Sequence, residues 1–387
     1  MAIDRAYLDY NASAPLLHAA REAMLAAMDG TANPSSVHSE GRAARRLIED
    51  ARRDVAGLVG ARADHVIFTS GATEAAATLL TPDWRMGRGP MRMSHLYVCA
   101  ADHACILSGG RFASDRVTIV GVDGNGLVDL FALEAALSSH DKAGGLPLVA
   151  IHAANNETGV IQLLVEIAAI VKQAGGLLVV DAVQAAGRIP LDISGSCGDF
   201  LILSAHKMGG PKGVGAIVAA SDLMMPRPLV GGGGQERGHR GGTENVVAIA
   251  GFGAAARHAS HALAGIDAVR VMRDLVEKEV LTAAPDAEIF GRRVERLANT
   301  VFFAIPGVKA ETAQIGLDLA GIAVSAGSAC SSGKVGPSHV LKAMGYQRPE
   351  GALRVSIGAA TGVDEIERLG CALAAIVERC EARTKAA

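Results

Sequence analysis

The chain reads as an α/β protein: a large domain around a mostly parallel central sheet, with a smaller α+β domain made by the C-terminus. Three observations predict this. Short, nearly all-apolar runs alternate with helical patterns between about residues 66 and 219, as strands buried on both faces do. Beyond about residue 284 the pattern changes to a smaller α+β region. The 387 residues, half of them apolar and a fifth charged, are enough for two substantial cores and too apolar for disorder.

The elements follow in order. A helix is predicted over about 16–28, then the turn Asn33-Pro34-Ser35-Ser36, then an amphipathic helix over about 41–58. Val66-Ile67-Phe68-Thr69 is a short buried strand that breaks at Ser70-Gly71 into a helix start at Ala72-Thr73. Further strands are predicted over 96–99, 117–120, 147–152, 177–181, 200–204 and 214–219, with helices over 129–138 and 163–174. The segment Leu79 to Met93 reads as irregular. A glycine-rich, charged loop over 231–242 precedes one long helical stretch over about 244–284. The C-terminal region has strands near 300–304 and 353–357 and helices near 310–320, 337–344 and 363–382. Aromatics make up only 3% of the chain while glycine is abundant, so the cores rely on close backbone approach.

Composition narrows the function. A net charge of −3 gives no sign of a nucleic-acid partner. Apolar runs are too short for a membrane span and the first residues carry no apolar signal region, so a cytoplasmic protein is expected. The six cysteines form no Cys-x-x-Cys pair, which argues against a zinc knuckle or a thioredoxin-type motif. Lys212 lacks Walker spacing, and Asp123-Gly-Asn125-Gly reads as a plain turn because Leu127 stands where a calcium ligand should be.

The chemistry gathers at strand ends. Lys207, in Ser204-Ala-His206-Lys207, stands just past a buried strand, where ligands bind in open α/β sheets. Partly desolvated, such a lysine becomes a nucleophile for carbonyl carbon. Asp181 ends another strand and needs a cationic partner, which a protonated pyridine nitrogen would be, although a helix cap is the simpler role. Gln184 follows three residues on and could bond a ring hydroxyl. Ser70-Gly71-Ala72-Thr73 opens a helix after a strand, a place suited to phosphate. Together these make a coherent pyridoxal-phosphate site.

The ordered motifs resemble those of the cysteine desulfurases, class-V members of the aminotransferase-like pyridoxal-phosphate enzymes. The matching segments are Tyr7-Leu-Asp-Tyr-Asn-Ala, Asn33-Pro-Ser-Ser-Val-His, Phe68-Thr-Ser-Gly-Ala-Thr-Glu, Ala154-Asn-Asn-Glu-Thr-Gly, Asp181-Ala-Val-Gln-Ala, Ser204-Ala-His-Lys and Pro211-Lys-Gly-Val-Gly. Further on come Gly234-Gln-Glu-Arg-Gly-His-Arg-Gly-Gly-Thr-Glu-Asn and Ser325-Ala-Gly-Ser-Ala-Cys-Ser-Ser-Gly. Cys330-Ser-Ser-Gly-Lys-Val-Gly-Pro-Ser-His resembles the longer loop of the subgroup that serves iron–sulfur assembly.

The resemblance implies the aminotransferase-like fold, with a large cofactor domain over 15–255 and a small domain from 1–14 and 256–387. It implies pyridoxal 5'-phosphate as cofactor and L-cysteine as substrate, with alanine as product. Lys207 carries the cofactor and serves as base, Cys330 takes the sulfur as a persulfide, and His103 handles protons above the ring. Ala72, Thr73, Ser204 and His206 hold the phosphate, joined by Thr243 of a second subunit in a homodimer. Asp181 and Gln184 meet the ring nitrogen and ring oxygen, while Asn156 and Arg354 grip the substrate carboxylate. An iron–sulfur scaffold or another sulfur-acceptor protein is the implied partner. No resident metal is expected, a transient iron–sulfur contact at Cys330 aside. The glycines around Cys330 predict a mobile loop. Cys105 departs from the family's usual alanine and reads as packing, with a second reactive thiol as the alternative. A selenocysteine lyase or an aminotransferase on the same scaffold is the rival activity, and a scaffold protein without catalysis the rival class.

Overall fold

The computed structural model describes residues 5–195, 197–327 and 338–386. Cys330, and with it the expected loop mobility over 328–337, lies outside the described residues.

The central sheet runs in the order Met224–Pro226, Asp83–Met86, Gly89–Cys99, Leu146–His152, Leu177–Asp181, Phe200–Ser204, Gly215–Ala219, Val66–Thr69, and Val117–Val120 pairs with Gly89–Cys99. Its middle is parallel: Val117–Val120 and Leu146–His152 flank Gly89–Cys99, and Leu177–Asp181 and Phe200–Ser204 follow. Both margins are antiparallel. The strands Leu177–Asp181, Phe200–Ser204 and Gly215–Ala219 are buried at every position, which explains their continuous apolar runs. Separate apolar cores lie on the two faces of the sheet, with Val149 and Leu201 in one and Leu148 and Phe200 in the other.

Helices His18–Met28 and Ser39–Leu58 pack on Val246–Ala262. A Cβ at Gly253 would stand 2.5 Å from the Cα of Ala51, so this helix pair meets backbone to backbone. That is how a chain poor in rings fills its interior.

A third apolar core, with Leu8, Val276, Phe303 and Leu369, lies around a four-stranded sheet ordered Glu288–Ile289, Thr300–Ala304, Leu353–Ser356, Ser325–Ala326. The N-terminal strand Ala6–Tyr7 pairs in parallel with Ile322–Ala323.

Two expectations need correction. Leu79 to Met93 is not irregular: Asp83–Met86 and the start of Gly89–Cys99 form an antiparallel hairpin. Its turn is Gly87-Arg88, and Gly87 has φ 58°, open to glycine at no cost. The stretch over 244–284 is two helices, Val246–Ala262 and Ile266–Ala283, joined by a 3₁₀ turn at Leu263–Gly265.

Candidate active site

The site forms where the strands of the parallel middle end. A cavity of about 470 Å³ is lined by Ala72, Thr73, His103, Asn156, Asp181, Gln184, Ser204, His206 and Lys207, nine residues singled out from the sequence. Cys105, His152 and Lys212 line it as well. This volume suits a cofactor-sized molecule.

One end of the cavity is a helix N-terminus. Ala72–Leu79 begins after Gly71, and no side chain caps it. Its first-turn amides and dipole favour an anion. Glu74 turns back to accept from Ser70 N at 2.8 Å. Gly215 on the neighbouring strand holds this cradle close: a Cβ there would meet Gly71 Cα at 2.8 Å and Leu203 O at 2.6 Å.

Asp181 lies deeper and is 7% exposed. Its Oδ1 accepts from Val183 N at 3.0 Å, the cap-like role considered from the sequence. It makes no ion pair among the described residues. Burial pushes its carboxyl above the ordinary range, so a buried cation opposite it would restore the carboxylate.

Lys207 follows the strand Phe200–Ser204 in the turn Ala205–Lys207. Its ammonium donates to Asn11 O at 2.7 Å and Ala12 O at 3.0 Å. Gln184 Nε2 donates to the same Asn11 carbonyl at 3.0 Å. The Asn11 side chain is itself fixed, donating to Thr300 Oγ1 at 2.9 Å and accepting from Asn299 Nδ2 at 3.0 Å. Anion cradle, lysine and desolvated acid thus share one cavity, and this set fits pyridoxal phosphate. The cradle would hold its phosphate, Lys207 its aldehyde carbon and Asp181 its ring nitrogen.

His103 caps the short helix Ala104–Leu107, its Nδ1 accepting from Cys105 N at 3.2 Å. The Cys105 thiol lies 3.1 Å from the same nitrogen. Burial raises the Cys105 pKa, which keeps it a thiol and suits the packing role more than nucleophilic chemistry. Beneath His103 runs a buried chain: His152 Nδ1 to Asp102 Oδ1 at 2.6 Å, and Gln162 Nε2 to His152 Nε2 at 3.0 Å. Cys99, Asp102 and His152 place ligand-type atoms within 4.8 Å of one another. Asp102 already accepts from Cys99 N and His152 N, and Cys99 Sγ from Ala101 N. The trio is therefore a hydrogen-bonded floor, with its lone pairs in use.

Arg354 is not in the cavity wall. It is 1% exposed and lies behind Asn156, donating to Asn156 O at 2.9 Å, Asp9 Oδ1 at 2.8 Å and Ser325 Oγ at 3.0 Å. Its buried Nε has no hydrogen-bond partner among the described residues. Thr243 is exposed and does not line the cavity either. Its loop reaches the cradle helix through the Arg240–Glu74 ion pair at 3.0 Å.

Sequence reasoning gave no role to Asp9, Asn11, Asp102 or His152. Asp9 and Asn11 stand in a recognised segment, so position alone could have flagged them. The partners of Asp102 and His152 are set by the sheet.

His206 lines the cavity beside Lys207 and Lys212; burial first, then the two lysine charges, lower its pKa to about 4. The unfolded chain binds this proton nearer pH 6.5, so it holds more protons than the folded chain between those values. Stability present above about pH 6.5 is therefore lost as pH falls toward 4. Urea unfolding of the cofactor-free protein should show His206→Gln with a flatter acid limb. The difference is at most about 3 kcal/mol and smaller because the ring is partly exposed. Identical limbs would contradict the burial argument.

The aminotransferase class-V family model matches residues 6–369. The chain is 40% identical to a cysteine desulfurase of Cereibacter sphaeroides over 98% of this chain and 97% of that one. It is 41% identical to a cysteine desulfurase of Frankia sp. (strain EuIK1) over 93% of this chain and 88% of the other. Among solved structures, a NifS-like protein from Rickettsia africae ESF-5 superposes with a TM-score of 0.87 at 34% identity, covering 97% of this chain and 99% of that one.

Proposed function

We propose that this chain, which belongs to the cysteine desulfurases of the class-V aminotransferase family, converts L-cysteine to L-alanine and passes the sulfur to Cys330 as a persulfide. The observation that carries the reading is the convergence of Lys207, Asp181 and the uncapped helix start at Ala72 on one cavity. Purified protein loaded with pyridoxal phosphate should form alanine from cysteine, with a visible spectral change on mixing. Loaded protein that forms no alanine would sink the reading. Activity on selenocysteine alone would favour the lyase alternative.

Bound pyridoxal phosphate supplies an electron sink that acidifies the α-carbon of an amino acid. The chain does the rest. Ala72, Thr73, Ser204 and His206 hold the phosphate end. Asp181 keeps a positive charge at the ring nitrogen, and Gln184 donates to the ring oxygen. Arg354 and Asn156 orient the substrate carboxylate. Lys207, once free, removes the α-proton, and His103 moves a proton at the substrate sulfur. The Cys330 thiolate then attacks that sulfur: an S–S bond forms as the C–S bond breaks, the β-carbon keeps the electron pair, and a proton at that carbon together with a proton returned to the α-carbon gives alanine.

Arg354→Ala should raise KM for cysteine by about one to two decades and leave cofactor binding nearly intact, since a charge-assisted pair contributes roughly 1.5–3 kcal/mol. Steady-state kinetics with a cofactor titration checks this. A lost cofactor with unchanged KM would reassign the residue to the phosphate.

The protein acts as a homodimer with Thr243 completing the neighbour's phosphate site. Support comes from the exposure of Thr243 in one chain and from a cavity of about 540 Å³ shared by the loops around Pro34 and Gln235. Sedimentation should find a dimer at micromolar concentration; a fully loaded monomer would refute it. The long-loop motif and iron–sulfur scaffold or other acceptor proteins as recipients belong to the same reading. So do a cytoplasmic location and the division into 15–255 against 1–14 with 256–387. The separate third core supports that division. No helix among the described residues is long and apolar enough to cross a membrane.

A further inference from the structure

Arg188 stands beside the site and takes no part in the chemistry described so far. It follows Gln184 by four residues, and Gly187 sets the turn between them with φ 76°. A Cβ at Gly187 would lie 2.7 Å from that of Ala259, so the turn is pressed against a helix and its direction is fixed. From there the guanidinium points back at the cavity. Its Nη1 donates to Gln184 Oε1 and, at 3.2 Å, to Gln184 O. Its Nη2 donates to Lys207 O at 3.1 Å. No carboxylate pairs with it among the described residues. Burial, and then the nearby Arg354 charge, bring its pKa down to about 10. A cation held without an acid is costly. An apolar side chain would fill the same space without that cost, so the three hydrogen bonds are what the arginine adds.

We propose that Arg188 is a positioning residue: it fixes the Gln184 carboxamide with its NH₂ toward the cofactor's ring oxygen and braces the Lys207 backbone. This rests on the reading of the cavity as a pyridoxal-phosphate site. A carboxamide has two ends of nearly equal shape and opposite polarity. With Oε1 held by guanidinium donors, Nε2 must point the other way, where it donates to Asn11 O at 3.0 Å. A flipped amide would set donor against donor at Arg188 and turn an acceptor toward the ring oxygen. The planar fork thus selects one amide orientation and ties it to the segment that carries the lysine.

The test is the pH midpoint of the visible band of protein reconstituted with pyridoxal phosphate. It compares wild type, Arg188→Met, Gln184→Met and the double variant. In Arg188→Met the midpoint should rise by about half to one pH unit. A lost donor to the ring oxygen and a lost neighbouring cation both favour the protonated form. In the Gln184→Met background the same change should add less than half of that shift. The other ionisable groups around the cavity are Glu74, His103, Cys105, His152, Asp181, His206, Lys207 and Lys212, with Arg354 and Asp9 behind. All stay in place across the four proteins, so the difference isolates Arg188. Arg188→Lys guards against misfolding of the methionine variant. It keeps the cation but not the fork, and should shift the midpoint by a smaller, non-zero amount. Equal shifts in both backgrounds would make Arg188 a through-space charge and overturn the proposal. So would an unshifted midpoint in folded variants, or a raised KM for cysteine as the sole effect. A wild type with no visible band at any pH overturns the reading of the cavity, and the clamp with it.

Discussion

Cys330→Ser should abolish alanine formation from cysteine, by a factor on the order of 10⁴, while the protein still binds pyridoxal phosphate and still changes its visible spectrum when cysteine is added. In the proposed mechanism, binding, orientation and α-proton removal need only Lys207 and its neighbours. Breaking the C–S bond needs a soft nucleophile on the substrate sulfur, and a hydroxyl is both harder and scarcely ionised at neutral pH. Mass spectrometry of wild type after brief exposure to cysteine should find one extra sulfur on the peptide with Cys330. Sulfur on Cys105 would identify a different acceptor. Alanine release by the serine variant at near wild-type rate would mean that another nucleophile, a second cysteine or an added thiol, takes the sulfur.

Lys207→Ala is expected to lose both roles of the lysine. The purified variant should hold cofactor without a borohydride-reducible link to the chain, and its rate should fall by at least about 10²–10⁴, the usual contribution of a positioned base. A reducible link that survives would direct attention to Lys212, which lines the same cavity. The two variants differ in where they stop. The serine variant takes in substrate and waits, whereas the alanine variant should show little of the spectral response at all.

What could be read from the sequence was what local chemistry determines. Lys207 and Asp181 were legible because both stand at the ends of runs buried on both faces, and strand ends of open sheets are where ligands gather. The helix start at Ala72 was legible from its turn chemistry. The Asp102–His152–Gln162 chain was not. Asp102 and His152 are 50 residues apart and meet only because Gly89–Cys99 and Leu146–His152 lie side by side in the sheet. The hairpin over Asp83–Met86 was hidden for another reason. Arginine and proline obscure its alternation, and its tertiary partner Met224–Pro226 is a three-residue strand over a hundred residues away. The place of Arg354 behind the wall and its tie to Asp9 could not be read, because both depend on the second sheet, where it pairs in register with Phe302 and Ser325.

That tie has a consequence for selectivity. Arg354 is never a bare charge awaiting a ligand, because the Asp9 carboxylate already occupies one edge of its guanidinium. If Arg354 meets the substrate carboxylate as proposed, an incoming amino acid would not simply add a salt bridge. It would take one edge of the guanidinium from Asp9, and the bond given up there would offset part of the new pair's gain. The arrangement acts as a threshold. A molecule with no carboxylate could not make the exchange, and one whose carboxylate is out of line would gain too little to displace Asp9. Such an exchange would sort ligands by the presence and place of a carboxylate, and the choice of cysteine among amino acids would have to come from groups that meet its side chain.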